Sequence, residues 1–338
     1  MRIALINHEY TLSGASVMLL KIADHLLRAG HRCALVPMLA TPGPIEAEYL
    51  RRGIPILSPA PFRQFETAIC NTVYTARAVR VAAEATRAIW WIREAEAGRR
   101  LLEQEPHLAA AFGDAAAVVF QTAYQRDVVY REYLAGVDPA RIFVIPNGVE
   151  LPASGPSAAK TRPIRAVCVG AVDLRKRQGD LIRAVAATGR TDIDCALIGR
   201  LWELGPAAQA IAAREPDRFR LLGELSHDET VAWLRSADIF ALPSASESQP
   251  GAVLEAALTG SALVLTDLPV YRGVWRHGEN ALLHPVGDVS ALAAAIDALA
   301  ADPALRLRLA QAARATALQY THARHFAAID ALLATVVG

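Results

Sequence analysis

The sequence predicts an α/β protein built from two doubly wound parallel domains. Three observations carry this. Short apolar runs alternate with longer stretches of helical spacing. The strand runs are near-continuously apolar, as in parallel sheets covered on both faces. The alternation breaks at residues 146–163, where Pro152-Ala153-Ser154-Gly155-Pro156-Ser157 has linker composition, and then restarts.

The elements follow in order. Residues 2–6 read as the first strand. Residues 15–28 follow with Val17, Leu20, Ala23 and Leu27 at helical spacing, and Gly30 stops that helix. Further strands are expected at residues 33–36, 54–57, 67–70, 88–92, 117–120 and 142–145, most of them separated by helical segments. After the linker, strands are expected at residues 165–169, 193–198, 219–222, 239–242 and 263–266. Residues 290–336 are alanine- and leucine-rich with helical spacing, interrupted near Asp302-Pro303. The boundaries are residues 1–150 for the first domain, 151–163 for the linker and 164–338 for the second, with the last helix free to cross back to the first. Two such domains place a cleft between the carboxyl edges of their sheets, where ligands of this architecture bind.

Composition agrees with packed cores. Of 338 residues, 53% are hydrophobic and 20% charged, and mean hydropathy is +0.23. With 35 basic against 34 acidic residues, no global field points to nucleic acid. Cys33, Cys70, Cys168 and Cys195 form no C-x-x-C pair, so no zinc or redox motif is present. The first residues turn polar too soon for a signal peptide, and no run reaches the roughly 20 apolar residues of a membrane span. The expectation is a cytoplasmic protein.

Three stretches could carry chemistry. Ser13-Gly14-Ala15-Ser16 opens a helix directly after the first strand, and small residues with free backbone N–H groups suit an anion. An ordinary tight turn has the same look. Gly170 to Gly179 follows the first strand of the second domain and contains Arg175-Lys176-Arg177, cations that suit a diphosphate. A solvated charge run is the plainer alternative. The strand at 239–242 runs into Pro243-Ser244-Ala245-Ser246-Glu247-Ser248-Gln249-Pro250-Gly251, then a helix carrying Glu255. Paired carboxylates accept hydrogen bonds from neighbouring hydroxyls, which suits a polyol, and the helix start suits a phosphate. No dinucleotide fingerprint, P-loop, nucleophile elbow or histidine cluster with metal-ligand spacing occurs.

Taken in order, these stretches resemble the retaining family 4 glycosyltransferases of GT-B fold over nearly the whole chain. Ser13-Gly14-Ala15 looks like their glycine-rich donor-phosphate loop, Ala29-Gly30-His31 like "R-G-H", and Pro146-Asn147-Gly148-Val149 like "P-N-G-V". Glu247 and Glu255 match the E-x₇-E motif, and His277-Gly278-Glu279-Asn280 is similar to "D-G-E-N-G". The resemblance implies two Rossmann-like domains and transfer of a sugar from a nucleotide-sugar donor to an acceptor hydroxyl of a glycan, glycolipid or small molecule, with retention. It implies catalytic roles for Glu247, Arg175 and Lys176. Donor binding falls to Gly14, Ala15, Gly170, Ser248, Gln249, Pro250, Gly251 and Glu255. No cofactor or metal is expected, because cations and helix ends would stabilise the diphosphate.

The chain departs from the family at Ser16, Ala171 and Arg93. Trp90-Trp91-Ile92-Arg93-Glu94 looks like a "W-W-I-H-E" whose histidine faces the acceptor, so Arg93 and Glu94 are the acceptor-side candidates and Arg93 suits an anionic acceptor. The same departures leave two alternatives: a nucleotide-sugar-binding scaffold with a decayed site, and another GT-B enzyme such as a sugar-nucleotide epimerase. Arg77, Arg80, Arg87, Arg99 and Arg100 lie near Trp90 and Trp91 in sequence and suggest peripheral docking on the inner face of a membrane. Interspersed glutamates make a solvated face the alternative. Donor nucleotide and oligomeric state leave no trace in the sequence.

Overall fold

A computed structural model describes residues 1–11, 13–38, 43–58, 61–152 and 163–338. The linker stretch 153–162 and Leu12, beside the Gly14 turn, lie outside the described residues. The chain divides into two compact units, Met1–Gly148 with Ala323–Gly338, and Val149–His322.

The first unit contains β1 (Arg2–Asn7), α1 (Gly14–Arg28), β2 (Arg32–Pro37), α2 (Pro44–Arg51), β3 (Thr67–Asn71), α3 (Ala76–Ala83), β4 (Arg87–Ile92), α4 (Glu96–Gln104), α5 (Ala111–Asp114), β5 (Ala117–Phe120) and β6 (Ile142–Val144). The strands form one six-stranded sheet in the order β2-β1-β3-β4-β5-β6, parallel throughout. Side chains alternate across it, as strand geometry requires. Ile3, Leu5, Ile69, Ile89 and Trp91 face one core with α1. Ala4, Ile6, Ala68, Trp90 and Ile92 face another with α3 and Phe112.

The second unit holds β7 (Ile164–Val169), α6 (Gln178–Ala187), β8 (Ile193–Ile198), α7 (Pro206–Arg214), β9 (Phe219–Leu221), α8 (His227–Ser236), β10 (Ile239–Leu242), α9 (Gly251–Thr259), β11 (Ala262–Thr266), β12 (Leu282–His284), α10 (Val289–Ala301) and α11 (Pro303–Ala317). Its six-stranded sheet has the order β12-β11-β10-β7-β8-β9, again parallel. The final helix α12 (His322–Val337) returns to the first unit, where Ile329, Leu332, Leu333 and Val336 complete the core beneath α1. Their i, i+3, i+4, i+7 spacing forms one apolar stripe. His25 Nε2 bonds Asp330 Oδ1 at 2.8 Å and its ring stacks on Phe326.

Three expectations need correction. Residues 54–57 form no strand. Only Ile56 makes an isolated bridge, to Leu35, because Pro55 has no N–H to donate to a ladder. Strand β12 escapes notice because it spans three residues and stops before Pro285. The helical tail breaks a second time after Ala317, where Val149 N–H donates to Tyr320 O and His322 N–H to Val149 O. No helix among the described residues is long and apolar enough to cross a membrane.

Candidate active site

In an open parallel sheet, ligands bind beyond the carboxyl ends of the strands where the strand order reverses. The second unit reverses between β7 and β10, since β8 and β9 extend one way and β10 sits on the other side of β7. The loops leaving these two strands carry the charged residues. Gly170 ends β7 at φ +142°, a conformation that favours glycine, and the Lys176 side chain packs against it, with Cε 3.6 Å from where a Cβ would stand. A Cβ on Gly199 would collide with the Gly170 carbonyl.

The β7 loop is closed by its own hydrogen bonds. Lys176 N–H donates to Asp173 Oδ1 at 2.7 Å, and Gln178 Nε2 donates to Ala171 O at 2.8 Å. Arg177 stands at the start of α6 with φ +54° and no side-chain cap. The β10 loop is tied to it. Ala245 N–H donates to Arg175 O at 2.8 Å, and Arg175 Nη1 donates to Ser246 O at 2.8 Å.

These ties bring the three catalytic candidates together. Lys176 Nζ donates to Glu247 Oε1 at 2.5 Å, and Arg175 Nη1 lies 3.6 Å from the same oxygen. The Lys176 and Glu247 side chains are only 13% and 6% exposed. Burial of an ion pair is expensive unless geometry and hydrogen bonding compensate, so this one marks a built site. Lys176 keeps two ammonium donors for a ligand, and Glu247 Oε2 has no partner among the described residues.

Helix α9 starts at the same edge without a side-chain cap, its N-cap being Pro250. Orphan N–H groups and the helix dipole there favour an anion. A Cβ at Gly251 would meet Val149 Cγ1 at 3.8 Å, an ordinary contact distance. Ser248, Gln249 and Pro250 are half-buried in the preceding loop. Glu255, also half-buried, shares a helical face with Gly251 one turn away. Two polar groups escaped the sequence reading. Tyr271 Oη and Ser244 Oγ are buried without partners. Burial, and then the Glu247 charge, push the Tyr271 phenol well above its ordinary range. The sequence signal was position alone: each follows the end of a central strand.

The first unit reverses between β1 and β3. Ser13 caps α1, accepting from Ser16 N–H at 3.3 Å. The N–H groups of Gly14 and Ala15 have no partner among the described residues. Asn7 and Asn71 end their strands fully buried. Asn7 Nδ2 donates to Ser16 Oγ at 2.9 Å, and Asn71 Nδ2 to Asn7 Oδ1 and Ala15 O, each at 3.1 Å. Arg93 is buried beside them. Its Nε donates to Asn71 Oδ1 and its Nη1 to Asn147 Oδ1, both at 2.8 Å. Burial pulls its pKa down to about 9.

Glu94 points elsewhere. Its Oε2 accepts from Val73 N–H at 2.8 Å and Arg93 N–H at 3.2 Å, pinning the backbone. Thr72 holds φ +84° with its hydroxyl 3.0 Å from His8 Nδ1. Trp90 and Trp91 are fully buried. Arg77, Arg80 and Arg99 are ion-paired with Glu105, Asp114 and Glu103.

Known proteins match both units. Residues 1–108 match the family described as glycosyl-transferase family 4, and residues 153–316 match glycosyl transferases group 1. The chain belongs to the family 4-type glycosyltransferases. This family 4 chain is 35% identical over 130 residues to a phosphatidyl-myo-inositol mannosyltransferase of Mycobacterium leprae, covering 38% of the chain and 34% of the relative. It is 32% identical over 190 residues to a glycogen synthase of Mycobacterium tuberculosis, covering 54% and 45%. It thus spans a quarter to about half the length of the curated relatives it matches. Among solved structures, Anabaena HepE in complex with UDP and glucose aligns at TM-score 0.81 with 18% identity, covering 99% of this chain and 100% of that one. Sucrose-phosphate synthase from Thermosynechococcus elongatus aligns at 0.75 with 16% identity, covering 99% and 98%. These likenesses establish the GT-B fold.

Proposed function

We propose that this family 4 chain transfers a glycosyl group from a nucleotide sugar to an acceptor hydroxyl, with retention at the anomeric carbon. The observation that carries the reading is the buried Lys176–Glu247 pair at the β7/β10 reversal, set against the uncapped start of α9. HepE, with the same fold, binds UDP and glucose, which supports a nucleotide-sugar donor.

In this reading the two spare Lys176 donors and Arg175 take the diphosphate oxygens, helped by the N–H groups at the start of α9. Negative charge grows on the diphosphate as the glycosidic bond breaks, and preorganised donors in a dry site stabilise it where it develops. That positive charge comes from the protein, so no metal is required. Glu247 accepts a hydrogen bond from a sugar hydroxyl through Oε2, and its Oε1 stays anchored by Lys176. Glu255, one turn along the same helical face as Gly251, accepts from the ribose hydroxyls. Gly14 and Ala15 offer N–H groups to the donor phosphate, and Arg93 serves the acceptor. The acceptor proton leaves with the departing phosphate oxygen.

A thermal-shift panel of UDP, GDP, ADP, dTDP and CMP tests the reading. One diphosphate should raise the melting temperature with concentration and fail to do so in Glu255→Ala. A flat response to every nucleotide overturns the donor assignment.

A further inference from the structure

The Arg93 guanidinium is buried, at 5% exposure, and every partner it has is neutral. Nε and Nη1 each donate to an asparagine oxygen, and the plane lies 4.5 Å over the Trp91 ring. Among the described residues no carboxylate lies within ion-pairing distance. The adjacent Glu94 spends Oε2 on two backbone N–H groups. Nη2 is buried with no acceptor. A guanidinium has five N–H groups, of which two are used here, so one on Nη1 and two on Nη2 remain. Those two nitrogens form the end of the fork that grips a carboxylate or phosphate through two parallel bonds.

The surroundings hold this fork in place. Asn71 Nδ2 is engaged by Asn7 Oδ1 and Ala15 O, so its Oδ1 must face Arg93. The next residue, Thr72, sits at φ +84° and ψ 159°, a region essentially reserved for glycine. It is held there by Trp91 O, which accepts its N–H at 2.7 Å, and by Trp90 Nε1, which donates to its carbonyl at 2.9 Å. Backbone strain and a buried cation without a direct ion pair are both tolerated at the same sheet edge.

We infer that Arg93 is the recognition group of an oxyanion site, so that the acceptor bears a phosphate ester or a carboxylate. Naming the ligand an acceptor rests on the transferase reading; the oxyanion binding does not. The free Nη1–Nη2 edge takes two oxygens of the anion, and the anion supplies the direct ion-pair partner that the described residues do not.

The test follows the Trp91 indole N–H signal in ¹H–¹⁵N spectra of the whole protein, assigned with Trp91→Phe. It titrates glycerol 3-phosphate and glucuronate against the neutral glycerol and glucose. One or both anions should move the signal saturably and the neutral compounds should not. Whichever anion binds separates phosphate from carboxylate. Arg93→Gln should weaken binding by about tenfold or more, with Arg93→Lys between, because a point charge lacks the fork. Without ligand, Arg93→Gln should melt at or above the wild-type temperature, since it removes a buried charge that has no direct ion pair. Silence from both anions, equal response to neutral compounds, or unweakened binding in Arg93→Gln overturns the site. So does a lower melting temperature in Arg93→Gln with anion binding unchanged, which makes Arg93 structural. If the anion binds while every nucleotide fails, the transferase reading falls and the oxyanion site stands. If a nucleotide binds and both anions fail, the reverse holds.

Discussion

Lys176→Met, Glu247→Gln and the double variant form a cycle around the contact on which the proposed donor site depends. Removing one partner of a buried pair costs about 3–5 kcal/mol, because the other charge is stranded. Two features lower that for Lys176→Met. Arg175 stays 3.6 Å from the same Glu247 oxygen, and methionine keeps the apolar stem packed on Gly170. About 2–3 kcal/mol is the expected loss, or about 4–12 °C in the melting temperature of a domain of this size. Glu247→Gln keeps an oxygen for Lys176 and should lose less, about 1–2 kcal/mol. The double variant has no charge to strand, so the two losses should fall short of adding by about 1–2 kcal/mol. Calorimetry on the whole protein measures all four corners. Additivity within about 0.5 kcal/mol would mean that ammonium and carboxylate do not meet, and the donor-site geometry would be wrong. A functional arm runs on the same proteins: Glu247→Gln should keep nucleotide-induced stabilisation but lose transfer, because its proposed role is at the sugar.

Two further outcomes follow. Thr72→Gly should be no less stable than Thr72→Ala by denaturant melts: both lose the bond to His8, but only glycine relieves a strained conformation worth about 1–3 kcal/mol. A glycine variant clearly below the alanine variant would refute that strain. Burial, opposed by Glu9, lowers the pKa of His8, and burial also lowers that of His284. The folded protein therefore holds fewer protons than the unfolded chain between each lowered value and the ordinary histidine range. Stability should be full above about pH 6.5 and fall as pH drops through that window. His8→Gln should flatten part of the slope in melts at stepped pH, and an unchanged slope would show that His8 does not drive it.

The fold was legible wherever local pattern and tertiary packing agree. Apolar runs such as residues 88–92 become central strands because both sheet faces are covered, and Trp90 and Trp91 show it by facing opposite cores. Residues 54–57 have the same apolar look, yet a proline in the run leaves a single bridge. The break after Ala317 was illegible because its cause is Val149, far away in the chain. The candidate site divides in the same way. Glu247, Lys176 and Glu255 announce themselves as charges in loops or helix starts after strands. Asn7 and Asn71 were legible in principle as polar residues closing apolar strands. Tyr271 and Thr72 were not: the first matters only through the unpartnered hydroxyl that folding buries, the second only through a backbone angle.

Both units place charge at the carboxyl edge of a parallel sheet, but they treat it in opposite ways. In the second unit the cation is neutralised in place, with Lys176 at 2.5 Å from Glu247. Such a pair is already satisfied before a ligand arrives, so it fits a group that orients a neutral sugar and shifts its remaining donors to a diphosphate only when charge develops there. In the first unit Arg93 is given amide oxygens and an indole face, and no anion. A guanidinium so placed gains most from a ligand that brings its own negative charge. A role as glue between β3, β4 and the Asn147 turn accounts for Nε and Nη1, but not for the buried Nη2 that has no acceptor. The retained charge is therefore an argument for specificity, and for an acceptor whose anionic group must be present before it is held.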